Sequence, residues 1–327
     1  MARKHFVMGV LVVLIAGALA GCGDEDEGAQ APTSTPASAF PLTIEQSDGE
    51  LLTLEEVPQR IVSLSAHATE ILCAIGAGDQ LVAVDMFANC PLGSTAKPEA
   101  DSFQPNLEAI TGYQPDLVYV FSDQGGIVAA LRRTETPVLF LELPATLEGV
   151  LEQIELFGQL SDHGEEAEAL VQSMQEGLDA VRERVAEVEQ GPRIFHELDP
   201  TYYTVSPDSF TGDMYELLKA ENIAAGAMGE APQLSAEVII DRDPEVIVLA
   251  DEPAGVTPDS VKQRPGWDQI SAVQNDRICI VDPDLVSRPG PRIVEGLEAL
   301  AECLYPEKFG ETPSASRGAV ALASAVT

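Results

Sequence analysis

The sequence predicts an α/β protein of two lobes with mostly parallel sheets, joined by one long helix. Short apolar strands alternate with helical segments over residues 41–146, and the same alternation returns over residues 191–310. Strands separated by helices pair in parallel and are covered by those helices. Between the two series, residues 147–190 keep a helical apolar period, broken once, whose charged second part runs for about seven turns. Both lobes are therefore expected to be Rossmann-like, and the long helix to connect them.

Each lobe is predicted from its own strands. In the first lobe the strands are RIVSLS, QLVAVDMF, LVYVF and PVLFLEL, and in the second they are RIFHEL, PEVIVLAD and DRICIVD. The halves also resemble each other, because NLEAI followed by QPDLVYVFSD matches SAEVI followed by DPEVIVLAD. This loose internal repeat predicts that an early glutamate lies on corresponding helices of the two lobes.

The amino terminus has the features of an export signal. Arg3 and Lys4 precede an apolar run, Phe6–Leu19, which is too short to span a membrane as a helix. The run ends in Leu-Ala-Gly-Cys, which resembles the lipobox of bacterial lipoproteins. We therefore expect residues 1–21 to be removed and Cys22 to carry the lipid that anchors an extracytoplasmic protein to the cell membrane. The alternative is a plain signal peptide with an incidental cysteine.

Two further segments are predicted to lie outside the folded lobes. Residues 22–40 are acidic and then rich in Pro, Ser and Thr, a composition that buries too little apolar surface to fold and is typical of a tether. Residues 311–327 are small and polar, and we expect them to be a disordered tail.

The charge of the chain argues against nucleic-acid binding. It contains 18 basic and 54 acidic residues, for a formal net charge of −36. Such a surface repels phosphate backbones. The acidic residues are spread along the chain, which is typical of a solvated surface.

Four cysteines besides Cys22 are present, namely Cys73, Cys90, Cys279 and Cys303. An even number in an exported chain favours disulfides. Proximity in sequence favours a pair in each half, 73 with 90 and 279 with 303, although three connectivities are possible. None lies in a CxxC or Cys/His array, so no zinc site is predicted.

No enzyme class is indicated. The sequence lacks GxSxG, HExxH and P-loop motifs. The histidines after the signal, His67, His163 and His196, have no metal-ligand spacing. We expect neither a resident metal nor a cofactor, and an extracytoplasmic enzyme or an adhesion module is the weaker interpretation.

Several segments, taken together and in order, resemble the family of periplasmic binding proteins for ferric siderophores and vitamin B12, the solute receptors of ABC importers. They are PQRIVSLSAHATEILCAIGAGDQLVAVD, NLEAITGYQPDLVYV, PEVIVLAD and WDQISAVQNDRICIVD with the later RPGPRIVEGLEAL, between about residues 58 and 306. The resemblance implies a ligand cleft between the lobes, a slight opening motion about a rigid helix, and a monomer that meets an ABC permease with its cytoplasmic ATPase.

The resemblance also implies docking residues. The family has a glutamate near a helix start on each lobe, which pairs with arginines of the permease; the matching positions are Glu108 and Glu237. A carboxylate on each lobe can accept a bidentate arginine and so fix the orientation of docking. Alternatively, each glutamate only stabilises its helix amino terminus.

The ligand is expected in the loops at the carboxyl ends of the strands. Aromatic side chains there can stack on a macrocycle, although for each of them a core position is an equal alternative. Phe103 matches an aromatic platform position in the B12 receptors, and Trp267 is less certain. An exposed imidazole at His67 can hydrogen-bond or coordinate cobalt or haem iron. The predicted ligand-binding residues are Ser65, His67, Phe87, Phe103, Asp123, Tyr202, Tyr203, Phe210 and Arg288.

The scarcity of basic residues in these loops bears on the ligand. Receptors for anionic ferric chelates gather several arginines, but here only Arg288, with Arg264 and Arg292 nearby, is available. This favours a nearly neutral corrinoid, with a ferric siderophore or haem as alternatives.

Overall fold

The computed structural model describes residues 40–89, 97–229 and 231–310, with the backbone alone for residues 97–99. The predicted signal peptide, Cys22, the tether up to residue 39, Cys90 and the tail lie outside the described residues. Within these ranges the strands form one hairpin and two larger sheets.

The strands, in chain order, are β1 (Leu42–Glu45), β2 (Leu51–Leu54), β3 (Ile61–Leu64), β4 (Leu81–Asp85), β5 (Lys97–Ala100), β6 (Leu117–Val120), β7 (Val138–Phe140), β8 (Arg193–Glu197), β9 (Glu221–Asn222), β10 (Val246–Leu249) and β11 (Ile278–Ile280). The α-helices are α1 (Ala66–Ala74), α2 (Leu107–Gly112), α3 (Ile127–Arg132), α4 (Leu147–Ser161), α5 (Gly164–Arg184), α6 (Phe210–Leu217), α7 (Ala236–Arg242), α8 (Pro258–Lys262), α9 (Ser271–Gln274), α10 (Pro283–Val286), α11 (Ile293–Leu304) and α12 (Pro306–Phe309).

The amino-terminal lobe is built on a parallel sheet of order β5-β4-β3-β6-β7. The carboxyl-terminal lobe has a parallel sheet of order β11-β10-β8-β9. The α/β class with parallel sheets is therefore as predicted. The antiparallel hairpin of β1 and β2 was not predicted, and neither was the short strand β9.

The alternation of side chains along the central strands divides the core. In β6, Leu117 and Tyr119 face one apolar cluster, whereas Val118 faces another. In β10, Val248 joins the same cluster as Tyr119, and Ile247 faces a third. Successive residues of a strand point to opposite faces, so each sheet has one face with its own core and one face in a common core.

That common core contains the connecting helices. Ile154 and Phe157 of α4 and Leu178 and Val181 of α5 are all buried in it. Helix α4 contacts α1 of the first lobe and α6 of the second, while α5 packs on α4 and on α11. The connection is thus a pair of helices, broken at the left-handed Asp162 (φ 63°), and its longer member spans about 31 Å.

Cys279 of β11 is disulfide-bonded to Cys303 of α11, which confirms the pairing favoured by proximity. Cys73 is also disulfide-bonded. In the part of the chain that the structure covers, no helix combines the length and apolar character needed to cross a bilayer.

Candidate ligand-binding cleft

A cavity of about 370 Å³ lies between the lobes, at the carboxyl ends of the strands of the first lobe. Its lining comes from both lobes: Ser65, Ala66, His67, Asp85, Phe87, Ser102, Phe103, Phe121 and Leu143 from the first, and Pro283, Asp284, Ser287, Arg288 and Pro289 from the second.

The sheet order explains this position. In the amino-terminal sheet the direction of strand succession reverses between β3 and β6, and ligands of open parallel sheets bind outside the carboxyl ends at such a reversal. Ser65 follows β3 directly, and Phe121 follows β6 directly. The cavity therefore occupies the place that the topology leaves open.

The carboxylate of Asp85 organises the aromatic side of the cavity. It is buried at the end of β4, where Oδ1 accepts the backbone N–H of Phe87 (2.9 Å) and Oδ2 accepts that of Ser102 (3.0 Å). Asp101 in turn accepts the N–H of Phe103 (2.9 Å). Each loop that carries a phenylalanine is thus held by a carboxylate.

Phe87 and Phe103 form an aromatic pair on the surface. Their ring centroids lie 5.8 Å apart at an interplanar angle of 79°, an edge-to-face contact. Nevertheless the two residues remain 53% and 62% exposed. Large aromatic side chains held in position with most of their surface in water are typical of a binding surface.

His67 lies beneath this surface and is buried. Its Nδ1 contacts the Ser65 hydroxyl, and its Nε2 lies 3.2 Å from both Gln153 Oε1 and Tyr119 Oη. Gln153 donates its amide to the Glu142 carbonyl (3.0 Å), which turns Oε1 toward the imidazole as an acceptor. His67 therefore carries its proton on Nε2 and accepts the Ser65 hydroxyl proton on Nδ1.

These contacts correct the expectation of an exposed imidazole. The pKa of His67 is lowered to about 4, chiefly by burial; the hydrogen bond to Gln153 opposes this shift and the charge of Arg288 adds to it. In this arrangement neither nitrogen offers a free lone pair to a metal. His67 lines the cavity as a neutral, hydrogen-bonded group.

A cross-lobe ion cluster adjoins the cavity through Arg288, which lines it. Glu70 of α1, with its side chain only 7% exposed, pairs with Arg292 through Oε1 and with Arg288 through Oε2, which lies 3.6 Å from Nη1. Both arginines belong to the carboxyl-terminal lobe. One buried carboxylate of the first lobe thus holds two guanidinium groups of the second.

Arg288 makes two further contacts. Its Nη2 donates to the Phe87 carbonyl (3.3 Å) across the cleft and to Asp284 (2.8 Å) within its own lobe. The predicted cavity residue is thus a bridge between the lobes. Glu70, which pairs with Arg288 and with the nearby Arg292, was not predicted, and neither Glu70 nor Arg292 lines the cavity.

Four predicted residues lie away from the cavity. Asp123 accepts the Val128 N–H (2.9 Å) at the start of α3, and Phe210 is buried in the common core as the first residue of α6. Tyr203 is 40% exposed, and its backbone forms an isolated bridge with Gln233. The fourth, Tyr202, has a structural partner.

Tyr202 and Trp267 enclose the guanidinium of Arg264, which lies 5.2 Å and 4.5 Å from their ring centroids. Arg264 donates two hydrogen bonds, of 2.6 and 2.5 Å, to the fully buried Glu197 at the end of β8. The strand order of the second lobe reverses between β8 and β10, so this cluster lies at the crevice that the second sheet leaves open.

Five of the predicted ligand-binding residues meet at the cavity, namely Ser65, His67, Phe87, Phe103 and Arg288. Their role in binding the ligand stays a prediction.

The two predicted docking glutamates occupy equivalent positions. Asn106 caps α2 by accepting the Ala109 N–H (3.0 Å), and Ser235 caps α7 by accepting the Val238 N–H (3.3 Å). Glu108 and Glu237 are each the second residue of their helix, and both are exposed. Hydrogen bonds from its own backbone N–H and from the Ser235 hydroxyl hold the pKa of Glu237 below its usual range.

Two parallel-sheet lobes that share a core and enclose a cavity at the strand ends of the first lobe form the architecture of a two-lobed solute-binding protein. The chain belongs to the periplasmic binding protein family, whose sequence pattern it matches over residues 61–285.

Among its relatives is an uncharacterized ABC transporter substrate-binding lipoprotein, YvrC, of Bacillus subtilis, 32% identical over 94% of this chain and 100% of that protein. A cobalamin-binding protein of Halobacterium salinarum is 28% identical over 93% of this chain and 86% of that protein.

Solved structures are similar as well. The periplasmic vitamin B12 binding protein BtuF of Vibrio cholerae gives a TM-score of 0.68 at 26% identity, covering 78% of this chain and 99% of its own. A possible iron-binding (periplasmic solute-binding) protein of Staphylococcus epidermidis gives a TM-score of 0.66 at 30% identity, covering 76% of this chain and 100% of its own.

We predict that Glu70→Gln destabilises the protein by about 3 kcal/mol, because Arg292 loses its carboxylate partner and the poorly exposed Arg288 keeps only Asp284. Urea unfolding at pH 7 measures the effect. Glu155→Gln, at an exposed position of α4, is the matched control and should stay within about 0.5 kcal/mol of the parent. A similar small loss in both variants would contradict the bridge.

The buried imidazole of His67 predicts acid sensitivity. Its folded pKa of about 4 lies below the value of 6.5 that it has when exposed, so the neutral form is favoured on folding and stability is lost as the pH falls from 6.5 toward 4. Between pH 7 and pH 4.5 this residue should account for about 2 kcal/mol of that loss. The loss should be smaller by this amount in His67→Gln, measured by urea unfolding at both pH values; equal losses would show that His67 does not titrate in this way.

Proposed function

We propose that this protein is the extracytoplasmic receptor of an ABC importer and that it captures a corrinoid in the cavity between its lobes. The observation that carries the proposal is the exposed pair Phe87 and Phe103 at the cavity, each held by a carboxylate of the loop that bears it. A flat, largely apolar macrocycle would cover these rings and remove their surface from water.

The charges around the cavity support a nearly neutral ligand. Its described lining contains the carboxylates of Asp85 and Asp284 and one guanidinium, that of Arg288. The guanidinium is already paired with Asp284 and Glu70. A multiply charged anion would therefore meet two carboxylates and a cation whose charge is compensated.

The size of the cavity implies that the lobes separate when the ligand enters. A corrinoid with its axial groups is larger than about 370 Å³. Separation would break the contacts of Arg288 with Phe87 and Glu70, while the common core and the helices α4 and α5 keep the lobes joined. We therefore propose a small opening motion that is limited by the core.

One observation favours an anionic ligand instead. Nη1 of Arg288 and Nη2 of Arg292 are buried without a hydrogen-bond partner among the described residues. Such donors would suit carboxylate or hydroxamate oxygens of a ferric chelate. A ferric siderophore is therefore the second candidate. Haem is less well supported, since both ring nitrogens of His67 are already hydrogen-bonded.

Membrane attachment through Cys22 and partnership with a permease and its ATPase are part of the proposal. They are supported by the export signal, by the Leu-Ala-Gly-Cys sequence and by the full-length similarity to a lipoprotein of this class. The equivalent, exposed Glu108 and Glu237 offer the permease one carboxylate on each lobe.

We expect the purified protein to retain cyanocobalamin, rather than a ferric hydroxamate or haem, when each is mixed with it and the absorbance is read after desalting. Phe87→Ala and Phe103→Ala should each weaken cyanocobalamin binding about tenfold, because each removes stacking surface. Tyr203→Ala, an exposed aromatic residue outside the cavity, should leave it unchanged. Retention of the hydroxamate alone would favour the second candidate, and retention of none of the three would contradict the class of ligand.

Charge reversal at both docking positions, Glu108→Arg with Glu237→Arg, should abolish uptake of the ligand by cells, because the carboxylates that pair with the permease are replaced by like charges. Affinity in solution should not change, since neither residue lines the cavity. Glu155→Arg controls for the added positive charge and should leave uptake intact. Normal uptake by the double variant would refute the docking role.

A further inference from the structure

The carboxyl-terminal lobe has a second hollow on the far side of its sheet from β9. This hollow, called the edge groove here, has a volume of about 1250 Å³ and is bounded by α5, by β11 with its flanking residues, by α10 and by α11. None of the five predicted residues that meet at the cavity lines it. We propose that the edge groove binds the chain's own segment 318–327, which adds a strand to β11.

β11 is an edge strand among the described residues, because the sheet order begins β11-β10. The carbonyl of Arg277 and the N–H of Val281 bond to β10. Since backbone groups alternate along a strand, the N–H and C=O groups of Ile278 and Ile280 point to the outer edge. Ile280 is also 48% exposed, so both backbone and apolar side-chain surface are available for a further strand.

The chain returns to the correct end of this edge. The disulfide joins α11 to β11, and Arg277 donates to the Leu304 carbonyl (2.8 Å), which places the end of α11 beside the start of β11. Pro306, the first residue of α12, lines the groove. A strand that follows a helix from this position runs parallel to β11, which is the connection used throughout both sheets.

The remaining sequence supplies both a linker and a strand. Residues 311–317 give a linker with a reach of up to about 23 Å from Gly310. The segment that follows, GAVALASAVT, alternates larger and small residues, with Val320, Leu322 and Val326 on one side of an extended chain. Such alternation fits a strand with one face on a helix layer.

The charges are also complementary. The groove lining includes Asp276, Asp282 and three glutamates of α11, against a single arginine. In a chain with 54 acidic residues, the last 16 contain none and include Arg317 next to the apolar segment. The segment therefore approaches the groove without the repulsion that most of this acidic chain would meet. Its docking would replace the prediction that residues 311–327 are disordered.

Amide hydrogen exchange at Ile278 and Ile280 tests the proposal. In the full chain both amides should be protected, and in a variant that ends at Gly310 they should exchange at least about tenfold faster. Leu322→Asp, on the face of the segment that meets the groove, should have the same effect. Ala321→Asp carries the same charge on the opposite face and should leave exchange within about twofold. The amide of Val118 in the other lobe reports whether each variant is folded.

Equal exchange rates in the full chain and the shortened variant would overturn the proposal. Protection that grows with protein concentration would also overturn it, because a second copy would then occupy the edge. Exposed amides in the isolated full chain that become protected only with permease-containing membranes would assign the groove to the permease instead. None of these outcomes depends on which ligand the cleft binds.

Discussion

The structure depends on a single apolar core that both lobes share. One face of each sheet and the buried sides of α4 and α5 belong to the same cluster, so the lobes cannot separate fully without exposing it. Close-packed cores change between discrete arrangements rather than deforming continuously. The opposite faces of the sheets have separate cores, one in each lobe. The cleft is consequently a narrow opening between two bodies that are joined along one side.

The charged bridge at the cleft contrasts with this core. Glu70 loses most of its contact with water. The desolvation cost of its carboxylate is offset only while both arginines remain paired with it. Apolar packing is non-directional and tolerates small shifts, whereas an ion pair requires its geometry. The core therefore determines that the lobes stay together, and the bridge determines how closely they approach at the cleft.

Sequence reasoning predicted what depends on local pattern. The alternation of apolar strands and helices predicted the two parallel sheets. The position of Phe87 and Phe103 in loops after strands predicted that they would lie at the cavity. It failed where a role depends on contacts between distant parts of the chain. Tyr202 and Phe210 are aromatic residues in loops, as ligand-binding aromatics are. Only the folded structure shows that Tyr202 packs on Arg264 and that Phe210 is buried in the core. The pairing of Glu70 joins residues 222 positions apart, and no periodicity signals it.

The bridge also bears on selectivity at the cleft. An anionic ligand that displaced Glu70 from Arg288 would leave a buried carboxylate with one of its two guanidinium partners missing. A neutral ligand that stacks on Phe87 and Phe103 leaves those pairs available when the lobes close again. Closure then adds the charged contacts to the stacking contacts rather than exchanging one for the other. With Asp85 fixed beneath the aromatic pair, the charges of the described cleft support the proposal of a nearly neutral ligand over a multiply charged anion.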